Sequence, residues 1–204
     1  SKKESAFQSV REGCSFVWGN SMIMGLLVMD TCVNFFGAYK AMMPVFARDL
    51  LGVGPGGLGM LLGAPAVGAL VGSGVVMGLG NPRGKGRLIV FVTLIYTIGL
   101  ILFALSRSFT FSLIVAFSLG ALDAVGETLR MTVIQLTTPD HLRGRVQSLV
   151  YVFVFGGPLI GQVQVGALAS LLGAPGAIIL GGLVGSGIVG LMAKRVSRLS
   201  QIEA

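Results

Sequence analysis

Five ionisable side chains stand inside long apolar stretches of this 204-residue chain: Asp30, Lys40, Asp123, Glu127 and Arg130. A charge in apolar surroundings is costly, so each must find a partner, face water or carry a proton. Asp123 and Glu127 are four residues apart and Arg130 is three further on, which puts all three on one helix face. Glu127 and Arg130 are spaced to pair, leaving Asp123 as the group free to take up a proton. Asp30 and Asn34 repeat the four-residue spacing on another segment. Such faces line either a water-filled cavity or an ion-pair network that fixes helix packing. Lys40 stands nearer the end of its segment and can extend its amine outward.

Other chemistries find little support. Cys14 and Cys32 make neither a disulfide framework nor a metal site, and His141 is the only histidine. No cofactor and no metal are expected. Ser73 and Ser186 lie between glycines, but His141 falls in a polar loop, so a membrane serine hydrolase is excluded. No phosphate-binding loop is present. The net charge of +7 is scattered in short clusters rather than gathered in a stripe, and nucleic acid is not an expected partner.

Composition defines the elements that must hold these residues. The chain is 53% hydrophobic and 11% charged, with a mean hydropathy of +0.87. A soluble domain carries about 25% charged residues, so this surface must face lipid. A helix crosses the bilayer core in about 20 apolar residues. Six runs reach that length, at about 20–46, 57–80, 88–105, 109–136, 146–172 and 174–193. The expected fold is an all-α polytopic membrane protein of six transmembrane helices, arranged as two inverted three-helix repeats. Asp30 and Asp123 then occupy the first helix of each repeat, near mid-span, facing one central site. Residues 1–19 read as an amphipathic lead-in at the membrane surface, and 194–204 as a basic tail.

Orientation follows from the basic residues. With six spans, one side collects eleven Lys and Arg residues and the other only Arg48 and Arg107. By the positive-inside rule both termini are expected in the cytoplasm. Pro65 and Pro158 fall mid-span, where they bend a helix or serve as hinges. Glycine pairs four apart (Gly59 and Gly63, Gly68 and Gly72, Gly74 and Gly78, Gly157 and Gly161, Gly181 and Gly185) are expected to let helices approach closely. Phe35, Phe36, Met42, Phe117 and Met131 are candidates for an apolar substrate surface.

The run from Pro44 to Gly54, followed by Ala64-Pro65-Ala66-Val67-Gly68, resembles the seventh and eighth helices of major facilitator superfamily transporters. The resemblance is to the branch that includes enterobactin-exporter-like and macrolide-efflux-like bacterial exporters. Thr138-Pro139-Asp140 with Arg143-Gly144-Arg145-Val146 is similar to that branch's loop between helices ten and eleven, and Arg11-Glu12-Gly13 to its lead-in to helix seven. The superfamily's cytoplasmic loop of the form G-x-x-x-D-R-x-G-R-R corresponds here to the stretch from Gly78 to Arg87, with Arg83, Gly84 and Lys85 between. Its acidic residue is absent, which weakens any charge-relay role for the loop. The resemblance implies a protein of twelve helices, of which this chain is the C-terminal half, in a cell membrane. It further implies proton-driven efflux of a small, largely apolar compound by alternating access, with an N-terminal six-helix half, a small-molecule substrate and the bilayer as partners. A six-span channel, or the permease subunit of a multi-chain complex, is the alternative. The first residue being Ser1 fits a piece of a longer protein.

Overall fold

The computed structural model of the protein describes residues 6–80 and 84–199, and every element among them is helical. A first helix, α1 (Ala6–Gly19), ends where Asn20 takes an extended conformation. The Asn20 side-chain oxygen accepts hydrogen bonds from the backbone of Met22 (3.1 Å) and Ile23 (3.2 Å), capping α2 (Ser21–Phe36). Gly13 and Val17, four residues apart, form the buried side of α1, and Trp18 is exposed.

The first apolar run does not remain one helix up to position 46. α2 stops at Phe36, and after Gly37 and Ala38 the chain tightens into a 3₁₀ turn (Tyr39–Met42). A single α-helical turn, α3 (Met43–Val45), and a π turn (Phe46–Leu50) follow. Pro44 sits in the first turn of α3, where its missing N–H is no loss. Aromatic packing holds this broken stretch inward. The Tyr39 ring meets Phe103 edge-on at 5.5 Å, and Phe46 lies 4.9 Å from Phe103. Hydropathy sees only a continuous apolar segment here, because Gly37, Lys40 and Pro44 hardly lower its average.

Next come α4 (Pro55–Leu79), α5 (Lys85–Leu105) and α6 (Phe109–Thr137), then a 3₁₀ turn (Asp140–Leu142) and α7 (Arg143–Leu199). α7 is two arms. Gly173 interrupts it with φ 73° and ψ 161°, a conformation open essentially to glycine alone. Contacts on either side show the chain doubling back. Gly157 and Gly161 on the first arm abut Thr31 and Phe35 of α2, so this arm runs parallel to α2. On the second arm Gly181 abuts Phe36 and Gly185 lies near Val33, in the opposite order. A straight helix would separate positions 161 and 181 by about 30 Å; here they meet adjacent residues. Among the described residues the chain therefore makes six long apolar helical passes, five of them separate helices or arms after α2 and its broken extension.

Glycine sets the closeness of these passes. A Cβ on Gly68 or Gly72 of α4 would strike the backbone of Phe117 or Ala121 on α6, and one on Gly120 would strike Pro65. Gly59, Gly63, Gly74 and Gly78 face open space among the described residues. Polar side chains add a link between α5 and the second arm, where the Ser186 hydroxyl donates to Thr97 Oγ1 at 2.9 Å. Large apolar side chains point outward along the passes, with Met77 83% and Leu171 81% exposed. In water such a surface would not persist, and it identifies a multi-pass membrane protein.

Candidate functional site: a charged cavity within the helical bundle

The residues that could do chemistry converge on one cavity of about 250 Å³. α2 contributes Asp30 and Asn34, the broken stretch Gly37 to Lys40, α5 Tyr96, and α6 Asp123, Glu127 and Arg130. The first arm of α7 closes it with Val154, Phe155, Pro158 and Gln162.

Arg130 is committed to Asp30. Its Nη2 lies 2.5 Å from Asp30 Oδ1, and both side chains are almost wholly buried. Asn34 donates to the same carboxylate oxygen at 3.0 Å and to the Asp30 carbonyl at 3.1 Å, so Asp30 is held from two directions. The guanidinium reaches across because residue 126 is glycine: a Cβ there would stand 2.9 Å from Arg130 Nη1. The spacing on α6 suggested Glu127 as the partner of Arg130. The structure gives that role to Asp30, one hundred residues earlier, because the guanidinium turns inward while Glu127 remains exposed. On the side of the pair nearer α1, only about 10 Å³ is left, bordered by Leu26, Leu27, Met131, Ile134 and Val150 with Glu127 beside the pair, a mostly apolar floor.

Asp123 and Glu127 line the cavity without a hydrogen bond or ion pair among the described residues. Asp123 is half-buried and Glu127 exposed. Lys40, expected to extend outward, is exposed but also belongs to the lining. Tyr39, Tyr96, Phe155, Pro158 and Gln162 were not singled out as lining residues by sequence reasoning. For Tyr39 the available signal was its place beside Lys40 after Gly37. The Tyr39 hydroxyl is buried with no hydrogen-bond partner.

Met131 borders the small space beneath the Asp30–Arg130 pair and accepts a weak hydrogen bond from Gln147 at 3.5 Å; the remaining candidates lie elsewhere. Phe35 and Phe36 pack edge-to-face at 5.0 Å, and Met42 is buried in the core. Phe117 borders an apolar groove between α4 and α6, with Met60, Val67 and Leu113. Gly78 lies near the end of α4, and Gly84, which caps α5, stands with Lys85 and Arg87 at the start of α5; Arg83 lies outside the described residues. Arg143 pairs with Asp140 at 2.8 Å, both exposed. Gly144 faces open space, and Arg145 makes a tight ion pair with Glu12 of α1. That contact fastens α1 to the start of α7, where Gly13 packs against the Arg145 backbone.

The transmembrane secretion effector family model matches residues 1–204 of this chain. Among curated proteins, the chain is similar to the enterobactin exporter EntS of Escherichia coli O81 (strain ED1a), of Escherichia coli O1:K1 / APEC and of Shigella boydii serotype 18. Each is 24% identical over 170 residues, covering 83% of this chain and 41% of the relative. The chain thus spans less than half the length of these relatives. No solved structure matches it. With a family match along its whole length, six apolar passes and a charged cavity between them, the chain belongs to the transmembrane secretion effector family of the major facilitator superfamily.

Proposed function

We propose that this chain is the C-terminal half of an exporter that moves small amphipathic compounds out of the cell by alternating access, in exchange for protons. The observation that carries this reading is the cavity itself. Three carboxylates, Asp30, Asp123 and Glu127, face two cations, Lys40 and Arg130, inside a membrane bundle. Ionisable groups at that depth are expensive and are retained where charge or substrate passes. The Asp30–Arg130 pair organises the cavity, while Asp123 and Glu127, which have no ion-pair partner among the described residues, are the carboxylates this reading assigns to proton coupling.

In this reading residues 20–193 form the bundle and its passes are two inverted groups of three, with Asp30 and Asp123 on corresponding helices. Residues 1–19 end a cytoplasmic linker, 194–204 form a basic tail, and both termini are cytoplasmic. The loops around Arg83, Lys85 and Arg87 and around Arg143 and Arg145 are then cytoplasmic contact points for the other half of the transporter. The mid-span Pro158, in the cavity wall, suits a hinge.

The test is reconstitution of the complete gene product into proteoliposomes holding a pH-sensitive dye. Enterobactin, taken from the relatives' name, and the cationic dye ethidium are the first probes. A lumenal pH change driven by a probe gradient is expected. Probe movement with no pH change would remove proton coupling, and unitary currents in a planar bilayer would favour the channel reading.

A further inference from the structure

We propose that Tyr39, Lys40 and Gln162 form a seat for an uncharged carbonyl oxygen, that of an ester, lactone or amide, on the compound carried. This names a substrate class for the exporter reading, on which the inference rests. All three residues line the cavity. Gly157 of the first arm of α7 abuts Thr31, the neighbour of Asp30, while Gly161 abuts Phe35. Gln162 therefore stands at the level where α2 ends, and Tyr39 and Lys40 follow directly after that end. The seat lies at the end of the cavity away from the Asp30–Arg130 floor. Lys40 and Gln162 are exposed, and neither has an ion pair or hydrogen bond among the described residues. Both carry N–H donors that the fold leaves unused.

Tyr39 supplies a third donor. It is 2% exposed, and its hydroxyl is buried without a hydrogen-bond partner. An orphaned buried hydroxyl costs stability, and a phenylalanine would make the same edge contact with Phe103. Packing therefore gives the hydroxyl no use, whereas a ligand oxygen does. The turn that carries it, Tyr39–Met42, follows the helix break at Gly37 and Ala38, and a small shift of this turn brings the hydroxyl to the cavity surface. Charge then selects the kind of oxygen. Asp30, Asp123 and Glu127 against Lys40 and Arg130 leave the cavity one negative charge in excess, which disfavours a carboxylate on the ligand. Val154, Phe155 and Pro158 offer apolar contact for the rest of the molecule.

The test is saturable binding of three tritiated ligands to the complete, detergent-purified protein: 4-(1-naphthyl)butanamide, the matching carboxylate, and 1-butylnaphthalene, which lacks the oxygen. The amide is expected to bind about tenfold tighter than either of the others. Tyr39→Phe and Gln162→Leu are each expected to cut that preference about fivefold, the worth of one hydrogen bond. Gln162 is exposed, so its variant is compatible with folding, and Tyr39→Phe keeps the ring against Phe103, so its melting temperature is expected at or above that of wild type. Loss of the preference in either variant supports the seat. No preference in wild type, a preference unchanged in both variants, or tighter binding of the carboxylate overturns it. Enterobactin-driven proton movement without an amide preference would overturn the seat and leave the exporter reading intact. The expected binding pattern, with no probe-driven pH change in proteoliposomes, would keep the seat and overturn the exporter reading.

Discussion

Arg130 and Asp30 meet at 2.5 Å although one hundred residues separate them, and their contact joins α6 to α2 at the floor of the cavity. Removing one partner of a buried pair leaves an uncompensated charge, at a cost of about 3–5 kcal/mol. Asp30→Asn and Arg130→Gln are each expected to lower the thermal stability of the purified protein markedly, and the double variant to lower it less than either. A double-variant loss equal to the sum of the two single losses would mean that the pair is not coupled.

Gly126 is the local condition for that contact. A side chain at this position must displace the guanidinium, with Nη1 2.9 Å from where its first carbon would stand. Gly126→Val is expected to reproduce the stability loss of Arg130→Gln and to add little to it when the two are combined. Full additivity would show that Gly126 acts elsewhere.

Gly173 reverses the chain between the two arms of α7. Its φ of 73° with ψ of 161° costs a residue bearing a Cβ about 1–3 kcal/mol. Gly173→Ala is expected to lower the melting temperature, while Gly187→Ala, which faces open space on the second arm, leaves it nearly unchanged. Equal effects would contradict the assigned turn.

Orientation can be read by labelling. With Cys14 and Cys32 replaced by Ser, a cysteine at Ser108 is expected to react with a membrane-impermeant maleimide added to intact cells, and one at Lys85 only after permeabilisation. The reverse pattern would invert the topology proposed from the basic residues.

The long apolar helices were legible in composition, because lipid demands the same pattern at every pass. Their interruptions were less so. The break at Gly37 and Ala38 depends on how Tyr39 and Phe46 pack against Phe103, a tertiary fact no hydropathy average contains. The charged residues were visible individually, and the helical spacing of Asp123, Glu127 and Arg130 grouped them on one face. The spacing could not tell which carboxylate Arg130 would choose, since the competing partner came from a different helix. Tyr39, Tyr96 and Phe155 were hidden because an aromatic residue in a membrane helix looks the same in sequence whether it meets lipid, core or cavity.

The central claim is that the cavity carboxylates couple substrate to protons, and it is tested most directly by substrate-driven pH change in proteoliposomes of wild type, Asp30→Asn and Asp123→Asn. Full coupling in wild type, abolished in Asp123→Asn and reduced in Asp30→Asn through the freed Arg130, is the predicted result. Unchanged coupling in both variants would contradict it.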